Sequence, residues 1–170
     1  MRFFIAVALI AFIGLAQAFA FAFVPCANPA GHVGHWIGRD QECAALVQTS
    51  CHRQPGNRQI GLTSSWRRGL HVKENCNKIP RLTAIATFLG PNGMYDEPHL
   101  HQHTAIFVQC EAAGIRVYDQ WNGTPIAYRV IPWAGHNAQY SGNNFWTIAG
   151  WNVIIKSVVY GVFLLYTLSE

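Results

Sequence analysis

The chain has 170 residues and a formal net charge of +4, and only 12% of its positions carry charged side chains. A length of this order fits one domain with short appendages. The basic excess is mild and scattered, whereas nucleic-acid-binding domains carry dense clusters of Lys and Arg. We therefore predict no nucleic-acid partner.

The amino end has the pattern of a secretory signal peptide. Met1 and Arg2 precede an apolar run over residues 3–15, and Ala16-Gln17-Ala18 then supplies a small-residue cleavage site. Cleavage after residue 20 or 22 is an alternative, because Ala and Phe alternate there. The run is short for a membrane anchor. Residues 1–18 are therefore predicted to be removed, and the mature chain to be secreted.

Five cysteines follow this segment, which suits an oxidising compartment. An odd count leaves at least one thiol unpaired if the others form disulfides. If Cys43 is that thiol, the other four allow three pairings. We favour a disulfide between Cys51 and Cys76, because the segment between them resembles a compact loop. This choice leaves Cys26 to pair with Cys110.

Cys43 is predicted to lie in the first turn of a short helix. Asp40 is a plausible N-cap, Glu42 adds negative charge, and residues 44–48 continue as an apolar helix. The positive end of a helix dipole favours the thiolate, so this cysteine is a candidate nucleophile. The alternative is an inert core residue, since free cysteines are often buried.

The remainder of the chain reads as short strands joined by turns. Trp66 follows a predicted single helical turn and is expected to pack inward. Residues 111–114 and Asn122-Gly123 have the composition of hairpin turns. Together with the helix, these strands predict an α+β domain with the helix packed on an antiparallel sheet. The predicted strands are 79–89, 103–109, 115–121, 124–133 and 143–148.

Two of these strands bring together a histidine and a carboxylate. His103 opens one strand and Asp119 lies near the end of the next, so alternation makes them candidates for a cross-strand pair. Asp119 would then orient His103, which would take the proton of Cys43. Gln120 or Asn122 is an alternative orienting residue. The backbone amide of Cys43 is expected to help bind the oxyanion.

A metal site is the competing interpretation of the same region. His99, His101 and His103 alternate, so on a strand they would share one face and could bind zinc. Pro98 makes a regular strand doubtful there. Our favoured interpretation has no metal and no cofactor.

Five segments in order resemble a known family, namely 42–48, 63–69, 83–88, 103–107 and 114–121. The set is similar to small CHAP-like and NlpC-like amidases of the papain-like cysteine hydrolase superfamily, including the amidase effectors that bacteria deliver against rival cell walls. The resemblance covers about residues 38–148, and we place the domain at 24–148. It implies a papain-like, NlpC-like fold with the cysteine on an amino-terminal helix.

The resemblance also implies a function, that of a secreted antibacterial amidase or endopeptidase that hydrolyses peptide bonds of peptidoglycan. It assigns Cys43 as nucleophile, His103 as general base and Asp119 as orienting residue, with Gln120 as the alternate. Substrate is expected to contact Trp66, Tyr118, Gln120 and Trp121. A wall-binding protein of the same fold without catalysis is the alternative, and an inhibitor protein as a partner is left open.

The carboxyl end departs from this pattern. Residues 145–168 are almost wholly apolar, with Lys156 near the middle. The run is long enough to span a bilayer, although a central lysine is costly there. A tail over 149–170 that associates with a membrane, one that docks on the domain and a non-native extension all stay open.

Overall fold

The computed structural model describes residues 23–53, 58–96 and 100–150, and every structural statement below concerns these ranges. The predicted signal peptide at 1–18 and almost all of the predicted tail at 149–170 lie outside them. Within the described ranges, no helix has the length and apolar character needed to cross a membrane.

The described residues form one α-helix and eight strands, in the order helix then strands. The helix, α1, spans Cys43–Ser50. The strands are β1 His52–Arg53, β2 Arg58–Gln59, β3 Trp66–His71, β4 Thr83–Thr87, β5 Thr104–Glu111, β6 Gly114–Trp121, β7 Thr124–Pro132 and β8 Phe145–Gly150.

Six of the strands form one antiparallel sheet in the order β3-β8-β4-β5-β6-β7. β1 and β2 pair separately. The predicted α+β arrangement is confirmed, and the predicted strands from residue 79 onward correspond to β4–β8. β3 was not predicted, because Trp-Arg-Arg-Gly-Leu-His lacks a clear apolar alternation.

Apolar side chains cover both faces of the sheet, since neighbouring residues of a strand point to opposite faces. Leu46 and Val47 of α1 pack with Ile106 of β5 in one cluster. Ile85 and Phe107 belong to the other cluster. A helix this short is marginally stable in isolation, so burial of its apolar side chains against one face of the sheet stabilises it.

The structure corrects the predicted disulfides. Cys26 is bonded to Cys51, Cys76 is bonded to Cys110, and Cys43 is free. The predicted pairing of Cys51 with Cys76 is wrong because the segment at Cys26 runs beside the end of α1, where the two cysteines form a β-bridge. Spacing along the chain does not report this proximity.

Candidate active site

Cys43 is the first residue of α1 and is 8% exposed. The predicted cap is not formed as expected: Glu42 holds the N-cap position without a side-chain hydrogen bond. Asp40 instead accepts a hydrogen bond from the Glu42 amide at 3.0 Å. The first amides of a helix have no intrahelical acceptor, so the Cys43 N–H is not used in the hydrogen bonds of the helix itself.

The loop that leads into α1 is fastened by one buried side chain. The Gln120 amide nitrogen donates to the carbonyls of Ile37 at 2.8 Å and Glu42 at 3.0 Å, and its oxygen accepts from the Ile37 amide at 3.0 Å. Gly38 lets the loop approach the helix, since it has φ +101° and an added Cβ would lie 2.6 Å from that of Ala45. These contacts set where the helix begins.

His103 lies immediately before β5 and is 2% exposed. Its backbone N–H donates to Thr87 Oγ1 at 2.9 Å, and its carbonyl accepts from the Thr87 amide at 2.9 Å. Its ring packs edge-on against Tyr140 at 5.0 Å, Trp121 at 6.0 Å and Phe145 at 6.3 Å between centroids. The imidazole is thus fixed by both its backbone and its ring contacts.

Asp119 completes the predicted constellation. Its Oδ2 lies 2.7 Å from Nε2 of His103, and the carboxylate is fully buried. Phe107 pairs with Val117 across β5 and β6, and continuing that register places Asp119 diagonally across from His103. Since Nε2 is engaged by Asp119, Nδ1 is the ring nitrogen available to the thiol.

The electrostatics favour an ion pair between sulfur and imidazole. Burial raises the pKa of Cys43, but the hydrogen bond and charge of His103 outweigh it and hold the thiol pKa below its usual value. Burial lowers the pKa of His103, while the hydrogen bonds that its ring makes with Asp119 and Cys43 raise it to about 9. Burial would raise the pKa of Asp119, yet His103 and Arg129 keep it below its usual value.

Tyr95 is a site residue that the sequence did not indicate, because it lies in an irregular segment. Its hydroxyl is 3.7 Å from Sγ of Cys43. Its ring packs against Trp66 at 5.2 Å and Phe88 at 6.1 Å. Burial, and next the Cys43 charge, raise the pKa of Tyr95 far above its usual value, so the phenol keeps its proton.

Cys43 and His103 line one open cleft of about 380 Å³. The cleft exposes polar, acidic and aromatic groups beside the sulfur, which suits a peptide substrate. Its other lining residues are Glu42, Ala44, Tyr95, Asp96, Leu100, His101, Gln102, Trp121, Asn122, Gln139 and Tyr140.

The four predicted substrate-binding residues fall in different places. Trp121 lines the cleft, whereas Gln120 is fully buried and fastens the loop before α1. Tyr118 is 6% exposed, and its ring centroid lies 4.7 Å from that of Tyr128. Trp66 is fully buried, which agrees with its predicted inward packing; it lies behind the ring of Tyr95 and does not line the cleft, and its contact with substrate stays a prediction.

The histidines of the alternative zinc site do not form a ligand group among the described residues. His99 lies outside those residues, His101 is exposed and His103 is buried against Asp119. Within the described ranges, no three His, Cys, Asp or Glu side chains come together in a way that could hold a metal ion.

A family model described as "Domesticated amidase effector 2" matches residues 14–148. The chain belongs to this family. The resemblance to amidase effectors that the sequence indicated is therefore confirmed. The family match spans the helix with Cys43 and the whole six-stranded sheet up to the middle of β8.

Relatives of this family share sequence and fold with the chain. A "Domesticated amidase effector 2" of Ixodes scapularis is 44% identical over 128 residues, 74% of this chain and 84% of that protein. A "Type VI secretion amidase effector 2 protein" of Salmonella typhi is 34% identical over 85 residues, 50% of this chain and 56% of that protein. A solved structure, "Type 6 secretion amidase effector 2 (Tae2)", is 22% identical with a TM-score of 0.59, covering 74% of this chain and 94% of its own.

Proposed function

We propose that the protein is a secreted cysteine amidase that hydrolyses peptide bonds of bacterial peptidoglycan and acts against bacteria. The observation that carries this proposal is the arrangement of a free cysteine at a helix start, a buried histidine and a fully buried aspartate at the cleft. Membership in an amidase effector family supports the reaction class, and the resemblance to effectors that act on rival cell walls supports peptidoglycan as the substrate.

In the first step, the Cys43 thiolate attacks the carbonyl carbon of a peptide bond. A sulfur–carbon bond forms, and the electron pair of the carbonyl moves to oxygen. In this proposal the donors to that oxygen are the Cys43 amide and the Tyr95 hydroxyl, which lies 3.7 Å from Sγ. Negative charge moves from sulfur to the carbonyl oxygen, and two hydrogen-bond donors at that oxygen lower the activation barrier.

In the second step, the tetrahedral intermediate collapses and the carbon–nitrogen bond breaks. His103 gives its proton to the leaving amine, and Asp119 stabilises the imidazole orientation throughout. Water then attacks the thioester, with neutral His103 as the base. The products are a free carboxylate and a free amine, and the cysteine is regenerated.

The test incubates purified protein with peptidoglycan sacculi and identifies released fragments and new amino termini by mass spectrometry. Cys43→Ala should abolish release while the far-ultraviolet circular dichroism spectrum stays unchanged. The control is Gln109→Ala, because Gln109 is exposed on β5 and does not line the cleft. Asn122 lines the cleft and is therefore unsuitable as a control position. Unchanged cleavage by Cys43→Ala contradicts the assigned nucleophile, and binding to sacculi without new termini favours a non-catalytic wall-binding protein.

Secretion is part of the same proposal. The amino-terminal pattern of the sequence and the two disulfides among the described residues support it. Amino-terminal sequencing of protein recovered from the medium should find a start after residue 18, 20 or 22. Recovery of the uncleaved chain from the cell interior would contradict it.

A further inference from the structure

Arg129 lies behind the proposed catalytic residues, on the edge strand β7. Its Nε is 2.9 Å from Oδ1 and 3.1 Å from Oδ2 of Asp119, and one of its terminal nitrogens is 2.6 Å from Oδ2. Both carboxylate oxygens are thus held by one planar group, which is the bidentate geometry that arginine favours. Oδ2 is the same oxygen that meets His103.

The same guanidinium also contacts the wall of the cleft. Its central carbon lies 4.7 Å from the ring centroid of Trp121 and 5.7 Å from that of Tyr140. Both rings line the cleft, and both pack against the imidazole of His103. Cation–π contacts of this kind fix the planes of the rings relative to the charge.

We propose that Arg129 is a positioning residue that holds Asp119 in register with His103 and braces the aromatic wall formed by Trp121 and Tyr140. This role deepens the proposed function and rests on it for its effect on hydrolysis. Its effect on the thiol can be measured without any wall substrate.

Charge balance is the reason why the guanidinium matters. Asp119 is fully buried, so its negative charge has no water to screen it. Arg129 supplies the opposite charge, which leaves the Cys43 and His103 pair next to a nearly neutral neighbour. Without that cation, an ionised Asp119 would destabilise the thiolate and stabilise the imidazolium. The ionisable groups that line the cleft with Cys43 and His103 are Glu42 just before α1, Tyr95 and Asp96 in the loop after β4, His101 before β5 and Tyr140 in the turn after β7. Asp119 contacts His103 from β6.

The chain offers a matched control on the neighbouring strand β6. Arg116 forms a similar bidentate pair with Glu111 at 2.8 and 2.9 Å, and it lies 5.1 Å from the ring centroid of Tyr128. Its exposed side-chain fraction of 26% is close to the 28% of Arg129. None of the residues of this second group lines the cleft.

The experiment measures the pH dependence of Cys43 alkylation by iodoacetamide in the wild type, Arg129→Met, Arg129→Lys and Arg116→Met. Cys43 is the free thiol, and alkylation follows the thiolate. We expect Arg129→Met to move the rise of the alkylation rate to higher pH by roughly half a unit to one unit. Arg129→Lys keeps a charge and should stay near the wild-type profile, and Arg116→Met should match the wild type.

Hydrolysis of sacculi by the same four proteins completes the test. We expect kcat to fall about tenfold in Arg129→Lys, which cannot form the planar fork, with KM little changed, while Arg116→Met keeps the wild-type kcat. A folded Arg129→Met with the wild-type alkylation profile would overturn the inference. If Arg129→Met does not fold, Arg129→Lys decides, and an unchanged kcat there overturns it. A wild type that cleaves nothing contradicts the proposed function instead, and the alkylation profiles still test Arg129.

Discussion

Nε2 of His103 and Oδ2 of Asp119 are 2.7 Å apart, with both side chains removed from solvent. A buried carboxylate at this distance supports the protonated form of the ring. The ring therefore holds its proton at a pH where an exposed histidine, with a pKa of about 6.5, has lost it. Two predictions depend directly on this contact.

The first concerns the alkaline limit of activity. Because the contacts raise the pKa of His103 to about 9, we expect kcat/KM to stay level on its alkaline side until about pH 9. Above that pH the imidazolium needed by the leaving amine is lost, so the rate falls. Initial rates of fragment release across a pH series measure this limit. A fall of kcat/KM that begins near pH 6.5 would contradict the prediction, because it would mean that the contact with Asp119 does not raise the pKa of His103.

The second removes the charge of Asp119. Asp119→Asn takes away the anionic acceptor, so it should lower the pKa of His103 and move the alkaline limb to lower pH. We also expect kcat to fall about 10²–10⁴-fold, as when the third member of a triad is neutralised. Glu111→Gln, which likewise neutralises a carboxylate paired with an arginine, should leave both quantities unchanged. Wild-type kcat in Asp119→Asn would rule out the orienting role.

The third tests Tyr95 as a donor to the oxyanion. Tyr95→Phe removes one oxygen and keeps the ring contacts with Trp66 and Phe88, so the fold should stay intact. We expect kcat to fall about 100-fold, in the range seen when one oxyanion donor is lost. Tyr128→Phe, which removes a similar oxygen from a half-exposed ring, serves as the control. A Tyr95→Phe rate within about twofold of the wild type would exclude the donor role.

The fourth concerns the clamp made by Gln120. Gln120→Leu leaves backbone groups of Ile37 and Glu42 without their side-chain partner. We expect the free energy of unfolding to fall by about 2 kcal/mol or more, because unpaired buried polar groups are costly. Urea unfolding measures this loss. Gln109→Leu, at an exposed position of β5, should change stability by less than about 0.5 kcal/mol, and an equal loss in both variants would argue against a clamp.

The fifth tests the disulfides. Peptide mapping without reduction should recover Cys26 linked to Cys51 and Cys76 linked to Cys110, with Cys43 alkylated. The sequence separation between Cys26 and Cys51 is 25, so removing this disulfide with Cys26→Ala and Cys51→Ala should cost about 3 kcal/mol of stability. Thermal unfolding of the double variant measures the cost. Recovery of a disulfide-linked peptide pair that joins Cys51 to Cys76 would contradict these two disulfides and support the pairing predicted from the sequence.

Local patterns predicted the parts of the site that are close in sequence or lie on regular strands. The hairpin between β5 and β6 follows from its turn residues, and strand alternation then brings Asp119 to His103. The apolar run after Cys43 marked the helix. Each of these inferences needed only the period of one element or the register of one hairpin.

The parts that were missed depend on contacts between distant segments. Tyr95 reaches Cys43 from an irregular loop, and Arg129 meets Asp119 on an edge strand, so neither has a local signature. The disulfide of Cys51 was misassigned because spacing does not show that Cys26 lies alongside it.

The guanidinium of Arg129 comes from a strand that is synthesised long after the helix that bears Cys43. A chain emerging from the ribosome therefore carries its thiol without a histidine at first, then without a carboxylate, and last without the balancing cation. Contacts of such wide separation along the chain form slowly, because the entropy cost of closing long loops has to be met first. The arrangement of Cys43, His103, Asp119 and Arg129 is therefore a property of the assembled sheet, and no segment that ends before residue 129 can contain all four side chains.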